Sequence, residues 1–198
     1  MVDQVDYQWS GQIFEPIDFV AYIGLNQGNK HIYVMTGDSG NGLTHFVLGG
    51  KIVADLINGI ENPWAKLYDP KRIGSVLQTA PSMIAHDVQI NAQYKRFLQS
   101  DINDIEDLAN GTGGVLNPKL SKPIAVYKDD EGGVHKFSAL CPHLKGVLCW
   151  NNVEKSWDCP IHASRFSKDG LQIMGPAKAN MSPADESGQA MQDQAVKI

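Results

Sequence analysis

The stretch Ser138-Ala139-Leu140-Cys141-Pro142-His143-Leu144, followed by Ser156-Trp157-Asp158-Cys159-Pro160-Ile161-His162-Ala163-Ser164-Arg165-Phe166, holds one Cys-x-His pair and one Cys-x-x-His pair, fifteen residues apart. Each pair sits on a Pro-containing turn between short apolar, strand-like runs, so two loops can close on one centre from the same end of a small β domain. Each loop then offers one thiolate and one imidazole. The candidate metal ligands are Cys141, His143, Cys159 and His162. Two thiolates on one iron and two imidazoles on the other suit a [2Fe–2S] cluster. The same four donors also suit a structural zinc ion, which takes them in a tetrahedron. Spacing alone leaves both open.

The residues around these pairs add to the reading. SALCPHL, SWDCPIHASRF, the SKDG that follows and Gly175-Pro176-Ala177 closely resemble the Rieske iron–sulfur family. The resemblance implies that Cys141 and Cys159 hold an inner iron, and His143 and His162 an outer, more exposed one. It also makes Gly175-Pro176-Ala177 the proline loop covering the cluster, with Ser164 and Pro176 in the cluster environment. Neutral imidazoles in place of two thiolates leave the oxidised core formally neutral, which eases electron gain. One-electron transfer from the His side is the expected function, with a redox partner protein as the counterpart. High-potential members of the family carry a disulfide between the ligand loops and a Tyr hydroxyl near the cluster. The matching positions here are Gly146, Ile161 and Phe166, so a potential in the lower or middle part of the roughly −150 to +300 mV range is expected.

Upstream of these loops the chain reads as α/β pieces. A segment over residues 13–23, a strand His31–Met35, a Gly-rich turn and a helix follow one another. Leu48, Ile52, Val53, Leu56, Ile57 and Ile60 recur at helical spacing, and Gly59 stands near the helix end. Asn62-Pro63 reads as the cap of a short helix with Trp64 and Leu67, and a further helix is expected over Ser82–Leu98. IYVMTGDSGNGLTH … ADLINGIENPWAKLYDPKR resembles the C-terminal end of a D-amino-acid-oxidase-like FAD-dependent oxidoreductase, some members of which carry a Rieske domain after the flavin domain. That resemblance implies a vestigial flavin contact at Gly40 and Gly42. Two departures weigh against FAD in this chain alone. No strand-GxGxxG-helix occurs, since Gly111-Thr112-Gly113-Gly114 leads into a strand-like run. Phe46 stands where the family has a glycine, either obstructing the helix start or packing in a rearranged core. The chain thus reads as a truncated or split oxidoreductase, with a separate flavin-binding chain as a second possible partner.

The expected fold class is α+β: an α/β flavin-oxidoreductase-like segment over 1–75, a helical linker over 76–100, and an all-β Rieske domain of antiparallel sheets with a cluster-binding subdomain over 101–198. Asp129-Asp130-Glu131-Gly132-Gly133 supplies a hairpin turn there. With 198 residues and 42% hydrophobic content the chain has material for a core. A net charge of −5 without a basic block predicts neither nucleic acid nor membrane as partner. The acidic start, MVDQVDYQWS, lacks signal-peptide character, and a cytoplasmic location is expected. Only Cys149 remains beyond the two ligand cysteines, so an intrachain disulfide is not expected; Cys149 itself reads as a half-buried strand residue. His31, His45, His86 and His135 lack partners at metal spacing and read as surface or capping residues. Trp150 and Trp157 read as packing beneath the cluster, and Lys145 as a solvated charge or, beside a ligand loop, one that meets an acidic redox partner. The polar tail from Met181 reads as loose. The apolar face of residues 13–60 needs a cover, from the Rieske part, a second copy of the chain or a flavin-binding half.

Overall fold

Tyr22–Leu25 (β1) and Tyr33–Thr36 (β2) pair antiparallel, and Gly42–Ile57 (α1) lies against them. The structure is a computed structural model, and it describes residues 4–72, 76–117 and 122–185, with the side chains of 76–80, 82 and 83 left aside. The chain divides into one unit of residues 11–87 and another of residues 1–10 and 88–198. The division falls inside the helix Val76–Ala92 (α3).

In the first unit the core is small. Ala21, Ile23 and Ile52 are buried, with Leu48, Val53, Ala65 and Tyr68 packed around them. The segment from residue 13 runs irregularly until β1 starts at Tyr22. Helix α1 ends at Asn58 with Gly59 in the left-handed region, as its sequence predicts. Its inward face, however, centres on Gly49 and Ile52, while Ile57 and Ile60 at the end of the expected stripe are exposed. The reason is a close approach: a side chain at Gly49 would run into Met35 of β2. Asn62 accepts from the Trp64 N–H at 2.9 Å and leads into the single turn Ala65–Tyr68 (α2). Arg72 pins the start of β1: Nε and Nη2 meet the Asp18 carboxylate at 2.8 and 3.0 Å, Nη1 donates to the Ala21 carbonyl at 2.8 Å, and the guanidinium lies 3.9 Å from the Tyr22 ring centre.

The second unit holds two antiparallel sheets. Thr112–Leu116 (β3), Ile124–Lys128 (β4) and Val134–Ser138 (β5) form one, in the order β3-β4-β5. β4 is buried from Ile124 to Tyr127 because both of its faces are covered. Ala125 and Tyr127 join the larger core, and Ile124 and Val126 join a smaller one with Leu108 and Ala184. The expected Asp129–Gly133 turn closes β4 onto β5, with Asp129 Oδ1 accepting from Gly133 N at 2.6 Å. Cys149–Asn151 (β6), Ser156–Asp158 (β7), Arg165–Ser167 (β8) and Gln172–Met174 (β9) form the other sheet, in chain order. β8 has no hydrophobic pattern to announce it. Arg-Phe-Ser shows a single apolar residue, and only the register Trp157↔Phe166, with both rings fully buried, explains it.

Two further expectations change, and one glycine gains a reason. The helix expected over Ser82–Leu98 is α3, which ends at Ala92 and tightens into a 3₁₀ stretch over Gln93–Leu98. Gly113 serves packing, since a Cβ there would fall 2.8 Å from Trp150 Cδ2. The tail is ordered at its start. Met181 is buried and its N–H donates to the Gly170 carbonyl at 2.8 Å, the Ser182 carbonyl accepts from Ser138 N at 2.8 Å, and Ala184 N donates to the Lys136 carbonyl at 3.1 Å. The free edge of β5 thus takes up 182–184 by backbone bonds that a polar sequence does not advertise; the tail from 186 lies outside the described residues.

Candidate metal centre

The two ligand loops are built alike. In the first, Cys141 N donates to the Gly146 carbonyl and Lys145 N to the Cys141 carbonyl, both at 2.9 Å. In the second, Cys159 N donates to the Ser164 carbonyl at 2.8 Å and Ala163 N to the Cys159 carbonyl at 2.9 Å. In each, Cys-Pro opens the turn and the fifth residue has a left-handed backbone, φ 58° at Lys145 and φ 59° at Ala163. The first loop springs from the bridge Leu140↔Val147, the second from the β7–β8 hairpin. Both therefore project from strand ends, and their histidines, placed third and fourth in the loops, come together at the tip.

Depth separates the two kinds of donor. Cys141 and Cys159 are buried at 0% and 4% exposure, whereas His143 and His162 are exposed. The imidazole centroids are 4.8 Å apart with planes at 78°. The two sulfurs lie within hydrogen-bonding reach of each other. Cys141 is drawn down to about 6, first by the hydrogen bond from Cys159 and then, against burial, by the His143 backbone N–H, the Ser164 hydroxyl and the His143 ring. Cys159 is pushed up, first by giving that bond and then by burial, although the His162 and Ile161 backbone N–H groups point to its sulfur. His162 is lowered by burial and by the neighbouring His143, which favours the neutral imidazole that a metal needs.

The surroundings fit a compact inorganic group between the loops. Gly146 has no side chain where a Cβ would stand 3.3 Å from Cys159 Sγ and run into Ile161. Positions 146 and 161 therefore do face each other across the loops, with Ile161 filling the space. Ser164 is fully buried and its Oγ accepts from Ala177 N at 2.9 Å, tying the second loop to Gly175-Pro176-Ala177. Pro176 is exposed, next to buried Ala177. Beneath the cysteines lie Trp157 and Phe166, both fully buried, and half-buried Trp150, whose ring centre is 4.9 Å from that of Trp157. Among the described residues no three His, Cys, Asp or Glu side chains converge on one point.

Residues 101–187 match the family described as Rieske [2Fe-2S] domain. They form a Rieske [2Fe–2S] domain. Membership of that family implies a [2Fe–2S] cluster in these residues. The protein YhfW of Bacillus subtilis (strain 168), named for a Rieske 2Fe-2S iron-sulfur centre, is 30% identical over 89% of this chain and 35% of its own length. The cytochrome b6-f complex iron-sulfur subunit 2 of Synechocystis is 31% identical over 54% of each chain. This chain thus spans about a third to a half of the relatives' length. Among solved structures, the plasma membrane Rieske protein PetC3 of Synechocystis matches 37% of this chain and 74% of its own at a TM-score of 0.33 and 20% identity.

Elsewhere the expected site residues scatter. Gly42 opens α1, and a Cβ on it would fall 2.6 Å from the Asp38 carboxylate. Gly42, His45, Phe46 and Asp38 line a cavity of about 170 Å³ at the helix start, with Gly40 outside its lining. His45 is no cap: its Nδ1 is buried without a hydrogen bond and its ring meets Tyr68 edge-on at 6.0 Å. His135 instead bonds Asp129 at 2.8 Å. Cys149 is half-buried in β6, and burial raises its thiol. Sequence reasoning missed Tyr94, whose hydroxyl donates to the Leu144 carbonyl of the first loop at 3.0 Å. Among the described residues no helix is long and apolar enough to cross a membrane.

Proposed function

We propose that Cys141 and Cys159 bind the inner iron of the cluster and His143 and His162 the outer one, so that electrons enter and leave by the histidine tip. The observation that supports this most is the split in depth, with two buried sulfurs below a pair of exposed imidazoles 4.8 Å apart. When bound, the cluster takes up and gives back one electron. The chain's own residues do the rest. N–H groups of His143, Ile161 and His162 and the Ser164 hydroxyl point to the cysteine sulfurs and stabilise negative charge there. Trp157, Phe166 and Val147 exclude water from below. Exposed Lys145 stands two residues from His143 and favours an acidic redox partner.

The finer reading is that this electron carrier is part or remnant of a flavin-dependent oxidoreductase whose dinucleotide-binding half is not encoded in these residues, with a two-chain flavoenzyme as the alternative. It is supported by the likeness of residues 32–72 to the end of a flavin domain, and by YhfW, whose alignment runs beyond the Rieske residues of this chain and leaves most of YhfW's own length unmatched. Flavin fluorescence titration of the purified chain tests the division of labour. No saturable binding is expected at micromolar FAD, with binding restored on adding a flavin-binding partner. Saturable micromolar binding to the chain alone would refute it.

A further inference from the structure

The residues just before the Rieske domain reach into its ligand end. Ile90 and Tyr94 pack against the core that contains Cys141 and Cys159, and Tyr94 stacks on Phe97 with centroids 6.3 Å apart. Arg96 Nη2 holds the Asp101 carboxylate at 2.9 and 3.1 Å and the Leu148 carbonyl at 3.4 Å. Asn117 Nδ2 donates to the carbonyls of Phe97 at 2.5 Å and Gln99 at 3.1 Å. The segment is thereby fixed on both sides of Tyr94, and the Tyr94 hydroxyl lands on the Leu144 carbonyl, one residue after His143 and one before the left-handed Lys145.

That carbonyl is where the loop most needs a hold. The loop's own backbone bonds tie Cys141 to Lys145 and Gly146, leaving the His143–Leu144 tip between them. The Leu144 side chain is 53% exposed and gives the tip little packing of its own. We propose that Tyr94, which lies outside the matched residues 101–187, is a positioning residue for the cluster: by holding the Leu144 peptide it fixes the direction of the His143 ring toward the outer iron. This rests on His143 being a ligand.

The test uses the full chain with its cluster. Nitrogen couplings in the pulsed EPR spectrum of the reduced parent protein establish whether two imidazoles bind iron, independently of Tyr94. Tyr94→Phe keeps the ring packing and removes only the O–H. Expected are a broadened coupling for one of the two nitrogens, and iron release to a chelator about two- to ten-fold faster, as loss of one ordinary hydrogen bond implies. Unchanged couplings with parental release would overturn the proposal. So would equal broadening of both nitrogens with a lowered melting temperature, which marks general loosening. A parent spectrum without two nitrogens would instead overturn the ligand assignment itself.

Discussion

Gly146 closes the first ligand loop with its carbonyl bonded to Cys141 N, and a Cβ there would press on Cys159 Sγ at 3.3 Å and on Ile161. Gly146→Val is expected to cost about 1–3 kcal/mol, the range for overpacking a dense site, and to lower iron content, read from urea melts and iron assay. Ser164→Ala acts differently. It strips the hydroxyl that points to Cys141 and leaves the buried Ala177 N–H without its acceptor. A drop in midpoint potential on the order of 60 mV is expected, the one-electron equivalent of about 1.4 kcal/mol; an unchanged potential would show that the hydroxyl does not reach the charge. At this scale the four proposed donors could be singled out from sequence because ligand chemistry is local: Cys-Pro-His and Cys-Pro-Ile-His each fit in one turn. Tyr94 and Met181 were not, since each acts on residues far along the chain, and nothing in a lone Tyr or Met marks its distant partner.

The strands β7 and β8 are held at their ends by Arg165. It grips Asp158 through Nε at 2.8 Å and Nη2 at 3.0 Å, and its Nη2 takes Ser10 Oγ at 2.7 Å, while Ser10 N donates to Glu154. Burial pushes the Asp158 carboxyl up, but the bonds from Arg165, Asn151 and Ser156 outweigh it and hold the group below the usual carboxylate range. A carboxylate depressed on folding stabilises the native state above its unfolded value of about 3.9 and ceases to do so as pH falls through the folded value. The stability difference between the parent chain and Arg165→Gln, read from urea melts, is therefore expected to be present at pH 7 and to vanish in that acidic window. A difference constant down to pH 2 would remove Asp158 from the account. Element existence was largely readable from sequence, because the strands of the Rieske domain carry apolar clusters bounded by Gly, Asp and Pro. β8 escaped because a three-residue strand with one apolar side chain has no period, and α1 was read with too wide an inward face because Met35 fills the space beside Gly49.

For the molecule as a whole, the ligand end was legible and the first unit was not. A cluster site is written in a few residues of fixed chemistry, whereas Ala21, Ile23 and Ile52 make a core too small to declare its fold, beside a helix whose Leu43, Phe46 and Val47 remain exposed. The central claim concerns where the electron resides and what holds it. Iron and sulfide analysis with pulsed EPR of the anaerobically reconstituted, reduced chain tests it most directly. About two irons and two sulfides per chain are expected, as a [2Fe–2S] cluster requires, with two directly coupled nitrogens, one lost in His143→Cys and one in His162→Cys. Stoichiometric zinc without sulfide, or a reduced cluster with no nitrogen coupling, would contradict it.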